Sequence, residues 1–415
     1  MNKISSMTKK FKCKSEKYIF FSAVLFLPIK IIPYFNIINR TLRLSIVAVA
    51  FIMLILGIIN SNRKQKSSIS LFIFISMIFS IMNYYGQWTD LISLSDKLYA
   101  FALFWFPLWL AVYYLQEEAS WSKKTVFKYL LILQTFIVIT TIIGLIEYPK
   151  AARDLASYVN TLVIYYIKNI GGYDFIYGSV LFIPCLLYYS RFVKYKIIIY
   201  FIILLNIICI VMSQYTLALI LLILAVIYMF LKKYCKNTTS LIIAYIGAFI
   251  IMLISIAPKS FFYSVADTFY KYSLNAVGDK IIDFYTSISR GEFFGTIGDR
   301  IDLYTNSLKA FTNHPLTGSV FFNNTVLGGH AELLDILGAC GLLGFILFIY
   351  LMRKYYTLLK NTQSNPHYYI YAKTVFWFFI LLGCVDTLFN SPAIAVNAFL
   401  IPALLSMDYQ NRDYT

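Results

Sequence analysis

Long apolar runs separated by short clusters of lysine and arginine recur along this chain, and that repeat leaves few folds open. A hydrocarbon core roughly 30 Å thick needs about 20 apolar residues of helix to cross it. Runs that cross, or nearly cross, such a core lie at 18–35, 44–59, 69–85, 98–115, 126–148 and 174–190. Others lie at 197–213, 215–231, 240–257, 331–352, 371–389 and 392–407. With 60% hydrophobic and only 13% charged residues, the chain is too apolar for a soluble domain, whose charged share is near one quarter. The bilayer must be the solvent for most of it.

The net charge of +17 does not point to nucleic acid. A nucleic-acid binder gathers its cations on one accessible face, whereas these recur between apolar runs. They mark topology instead. Counting from a cytoplasmic N-terminus, every internal connection is basic: Arg63, Lys64 and Lys66; Lys123, Lys124 and Lys128; Arg191, Lys194 and Lys196; Lys232, Lys233 and Lys236; Arg353, Lys354 and Lys360. The short external connections are poorer in cations, so both termini are expected in the cytoplasm. The basic N-terminus precedes an apolar run without a small-residue cleavage pattern, which reads as a retained first span. Six cysteines are scattered with no CxxC and no Cys/His cluster, so neither a disulfide framework nor a zinc site is expected. The aromatic excess supplies lipid-facing and interfacial surface.

These features predict an all-α polytopic membrane protein with about twelve transmembrane helices and a large external loop containing short amphipathic helices. Residues 1–257 hold about nine spans, 258–330 form the loop, and 331–415 hold about three spans. A smaller external segment near 149–173 carries Leu155, Tyr158, Val159 and Leu162 on one helical face and should lie in the interface. The large loop is rich in Phe, Tyr and Ile, so it should be ordered and pressed to the membrane surface.

Within that loop a helix is expected from about Asp299, burying Ile301, Tyr304, Leu308 and Phe311 and ending before His314. The turn His314-Pro315-Leu316-Thr317-Gly318-Ser319 follows, then a polar stretch, then His330 immediately before a membrane helix. Unpaired amides at a helix start favour anions and disfavour imidazolium, so a neutral His330 could accept a proton. Arg290 and Arg300 offer planar donors suited to phosphate oxygens, and Arg153 and Lys168 add charge from the other external loop. Together they make a metal-free site for a pyrophosphate headgroup.

Each residue has a plainer reading. His330 could cap a helix, and the arginines could pair with lipid phosphates or with Glu292, Asp299 and Asp302. Acidic groups in membrane runs cost about 2.5 to 3.5 kcal/mol, so Asp335 and Asp386 should face protein or water. Asp335 could orient His330, and Asp386 could bind an acceptor sugar or pair with another helix. Gly338, Gly341 and Gly344 read as close helix packing.

The ordered set Arg300, Pro315-Leu316-x-Gly318, Gly328-Gly329 before His330, and the following ELLDILGACGLLG resembles the O-antigen ligase and O-antigen polymerase superfamily. That resemblance implies a functional arginine and histidine in a late periplasmic loop, carried here to Arg300 and His330. It implies a multi-pass protein of the bacterial inner membrane that joins undecaprenyl-pyrophosphate-linked oligosaccharide units by inverting glycosyl transfer. No cofactor and no metal are implied. Membrane lipids are partners, a polysaccharide chain-length regulator is a candidate one, and nucleic acid is not. The turn VMSQYTLAL lacks the arginine that many relatives place there, so a third basic contact has no evident source. A ligase transferring glycan to lipid A core shares the same residues, and a flippase or transporter is the rival from another class.

Overall fold

The computed structural model describes residues 2–87, 94–117, 121–155, 163–234, 258–272, 274–290, 295–322, 327–362 and 366–406, and every regular element among them is helical. The first half comprises α1 (Asn2–Ile31), α2 (Arg40–Ile59), α3 (Arg63–Gly86), α4 (Leu94–Leu115) and α5 (Trp121–Glu147). Two short helices, α6 (Ala151–Asp154) and α7 (Val163–Ile167), lead to α8 (Tyr173–Tyr189), α9 (Lys196–Met212) and α10 (Thr216–Tyr234). Asparagines set two of the starts. Asn39 accepts from the Thr41 amide at 2.8 Å and Asn62 from the Gln65 amide at 2.9 Å, each pairing an amide that the helix leaves orphaned.

Among the described residues, six helices are long and apolar enough to cross a membrane: α2, α3, α4, α5 and two late helices, Glu332–Asn361 (α14) and Tyr368–Val385, the latter within α15 (Pro366–Val385). Shorter apolar helices occupy Tyr173–Tyr189, Lys196–Met212, Thr216–Met229 and Pro392–Leu405, the last being α16. The run at 18–35 falls mostly on α1. The expected span at 240–257, and Tyr158, Val159 and Leu162 of the expected interfacial face, lie outside the described residues.

Helix α4 is the hub. Trp105, Trp109, Tyr113 and Tyr114 are fully buried, and the two indoles donate to Ser80 and Ser76 of α3, each at 3.1 Å. Lipid is as apolar as leucine, so such packing and interhelical hydrogen bonds, rather than a hydrophobic drive, hold helices together in a bilayer. Outward-facing residues such as Phe74 and Ile146, 64% and 70% exposed, would meet lipid chains.

The stretch after residue 258 folds as expected into amphipathic helices, α11 (Lys259–Lys271), α12 (Asn275–Arg290) and α13 (Gly295–Asn313). The first two form a hairpin, with Phe262 against Tyr285 at 5.0 Å between ring centroids. Helix α13 starts a turn earlier than Asp299, and its last turn leads into the 314–319 turn.

Helix α14 is interrupted at Gly341, whose φ of 60° and ψ of −161° are not helical. The break frees the amides of Leu342 and Leu343, which donate to the carbonyls of Pro315 and Leu316 at 2.9 and 3.1 Å. Ser319 Oγ donates to the Gly338 carbonyl at 3.0 Å. The 315–318 turn therefore plugs a gap in the helix, and the reading of Gly341 as a packing glycine is corrected. A Cβ on Gly341 would stand 2.5 Å from the Gly318 nitrogen and from the Leu316 carbonyl. Gly341→Ala should cost at least the about 1–3 kcal/mol of a glycine-only backbone conformation. Gly57→Ala, whose Cβ meets the movable Ile19 side chain, should cost less. Thermal unfolding of the purified protein checks this, and equal melting temperatures would mean that the turn does not dock on the break.

Candidate functional site

A helix that ends without capping leaves carbonyls unpaired and a partial negative charge. At the end of α15 that role is filled from α13. Arg300 Nη1 donates to the Val385 carbonyl at 2.8 Å, and Tyr304, about one turn on, donates to the same oxygen at 3.2 Å. Arg300 Nη2 also stands 3.6 Å from Asp386 Oδ2. The Asp386 side chain is 7% exposed but that of Arg300 is 36% exposed, so the guanidinium keeps an open side. Asp386 Oδ1 accepts from the Thr387 amide at 3.0 Å, and Tyr173 donates to the Thr387 carbonyl at 3.1 Å.

Lys280 of α12 lies within electrostatic reach of both Arg300 and Arg153. Burial first, and then those two guanidiniums, push its ammonium below the ordinary lysine range, while Asp386 and Asp283 oppose the shift. Arg153 projects from α6, which is tied to the start of α10 by a 2.6 Å bond from Tyr215 to the Ala152 carbonyl. Tyr215, Tyr173 and Tyr177 pack together with ring centroids 4.6 to 6.1 Å apart. Two guanidiniums repel Lys280 while Asp386 and Asp283 attract it, so Lys280→Met should leave the melting temperature nearly unchanged while weakening binding of inorganic pyrophosphate at least about tenfold. Melting and pyrophosphate binding measured together check this, and a lower melting temperature with unchanged binding would make Lys280 structural.

The other expected cations stand elsewhere. Lys168 is paired with Glu147, and its Nζ lies 4.9 Å from the centroid of the Tyr148 ring. Arg290 is exposed at the end of α12, roughly ten residues and about 15 Å of helix rise from Lys280. Asp335 does not hold the His330 ring. One of its oxygens accepts from Ser307 Oγ at 2.5 Å and from the Gly329 amide at 3.1 Å, and the other from the Ala331 amide at 3.2 Å. Ser307 Oγ in turn accepts from the Gly328 amide at 2.9 Å. This buried network grips the backbone on both sides of His330 and presents its side chain outward. Gly329 has a φ of 75°, a conformation that favours glycine, and His330 beside it is exposed.

His330 lines a cleft of about 640 Å³ together with Asp386, Tyr173, Lys30, Asp174 and Asn390. Behind it, buried Glu332 accepts from the Leu388 and Phe389 amides at 2.7 and 3.2 Å. Asp386 and Tyr173 thus belong to the cleft and to the neighbourhood of the cations at once. The arrangement offers an anion-holding corner beside an open, polar cleft with an imidazole on its rim.

Sequence reasoning missed Lys280, Lys30 and Asp174. Lys280 sits between Asp279 and Asp283 and reads as one more solvated charge. Lys30 carried a usable signal, because a lysine inside an apolar run seldom lacks a purpose. Among the described residues, no three His, Cys, Asp or Glu side chains gather as a metal site would require. No family model matches the sequence, and no curated protein matches it.

Proposed function

We propose that this protein is a polysaccharide polymerase of the bacterial inner membrane, joining oligosaccharide repeat units carried on undecaprenyl pyrophosphate at the periplasmic face. The observation that carries the reading is the pairing of Arg300 with Asp386, which lines the His330 cleft, with Lys280 within electrostatic reach of both. The acceptor sugar hydroxyl, seated in the cleft, attacks the anomeric carbon of the donor glycan from the face opposite the pyrophosphate. Its proton passes to the His330 imidazole as the new C–O bond forms. The bond from the anomeric carbon to the pyrophosphate oxygen breaks, and the electron pair leaves with the lipid pyrophosphate, whose growing charge the three cations stabilise. Lys280 supplies the third basic contact that the VMSQYTLAL turn lacks. In this reading the protein has both termini in the cytoplasm, about twelve spans, and a chain-length regulator as a candidate partner.

A ligase acting on lipid A core would use the same corner and differ in its acceptor. A flippase is less well supported, since transporters bind near the bilayer midplane, whereas these cations stand at helix ends and on the amphipathic helices. The surface glycan of a deletion strain separates the readings. Core bearing single repeat units without long chains is the expected result. Long polymer left on its lipid carrier would assign a ligase, and accumulation of single lipid-linked units on the cytoplasmic side would assign a flippase.

A further inference from the structure

At the end of the bundle opposite His330, a second cleft of about 740 Å³ opens between the starts of α3 and α5 and the ends of α4, α14 and α16. Lys64, Lys123 and Lys354 line it from three different helices. Its carboxylate, Glu117, is engaged: Oε1 accepts from Gln65 Nε2 at 2.7 Å, and the Glu117 main-chain carbonyl accepts from Lys123 Nζ. Lysines that only mark topology sit on exposed connections. Lys123 is 1% exposed and also donates to Ser406 Oγ at 3.3 Å, so it is built into the wall.

The starts of α3 and α5 are already capped, by Asn62 and by Glu16, whose carboxylate accepts from the Ser122 amide at 3.1 Å. The lining nevertheless carries net positive charge, with Lys64, Lys123 and Lys354 against the carboxylate of Glu117. Three ammonium groups from three helices against one carboxylate, around one polar cleft of this size, are complementary to an anion larger than a simple ion. We infer that this cleft binds a phosphate-bearing group of headgroup size at the face opposite the proposed catalytic corner. The phosphate can belong to an anionic lipid of the adjoining leaflet or to a soluble phosphate ester, and both present the same oxygens to the lysines. The inference stands independently of the polymerase reading.

The test uses the full-length protein in phosphatidylcholine nanodiscs. Binding of inorganic pyrophosphate is followed by calorimetry, and retention of phosphatidylglycerol by native mass spectrometry. The Lys64→Ala/Lys354→Ala variant should weaken whichever probe binds by at least about tenfold, while Lys64→Arg/Lys354→Arg retains it. Loss of pyrophosphate binding alone identifies a soluble ester, and loss of phosphatidylglycerol retention alone identifies a lipid headgroup. If neither probe binds the wild type, or if the alanine pair binds as the wild type does, the inference is overturned. Should the alanine pair fail to fold, Lys64→Gln at an exposed position decides by the same criterion.

Discussion

Arg300→Ala should lower polymerisation by roughly a hundredfold to a thousandfold, the usual effect of removing one donor that stabilises developing negative charge. Arg300 also caps α15, so its loss has a structural cost, and the two effects must be separated. A hydrogen bond from a charged group contributes about 1.5–3 kcal/mol to stability, and partial exposure of this side chain places it toward the lower end. The alanine variant should therefore accumulate as folded protein with a modestly lowered melting temperature. Arg300→Lys should recover part of the activity, because it keeps the charge and loses the planar fork. Turnover of lipid-linked repeat units by purified protein, normalised to folded protein, measures this. Wild-type turnover in Arg300→Ala would remove the residue from the mechanism, and activity that falls only in step with folded protein would leave it as a helix cap.

The division between what could and could not be read beforehand follows from the range of each interaction. Apolar runs were legible because hydrocarbon forces backbone pairing within the segment, and those at 44–59, 69–85 and 126–148 appear as α2, α3 and α5. Arg300 and His330 were legible because local signals mark them: an amphipathic helix for one, a helix start beside two glycines for the other. The break at Gly341 was not, since glycines three apart fit close helix packing equally well. Only the carbonyls of Pro315 and Leu316, brought from a separate segment, decide between the two. Lys168 looked like Arg153, a cation in the same short segment, until Glu147 was found beside it. Lys280 gains its meaning from Arg300 and Arg153, which no local pattern could associate with it.

His330→Ala should reduce polymerisation by about a hundredfold to ten-thousandfold, the range for a positioned proton acceptor. Asp335 fixes the amides of Gly329 and Ala331 and so holds the residue between them at the rim of the cleft. The imidazole is exposed and its ring is not part of that network, so the substitution should leave the melting temperature close to the wild-type value. Binding of the lipid pyrophosphate depends on Arg300, Lys280 and Arg153 and should survive. His330→Gln is the sharper test, since its amide can still accept a hydrogen bond from the sugar hydroxyl but cannot take the proton. A glutamine variant as slow as alanine supports proton transfer at this position. If His330→Gln turns over like the wild type and His330→Ala does not, His330 orients the acceptor and the base lies elsewhere. Asp386 and Asp174, the carboxylates that share the cleft, would then be the groups to replace, and a pH–rate profile displaced by Asp386→Asn or Asp174→Asn would show which one takes the proton.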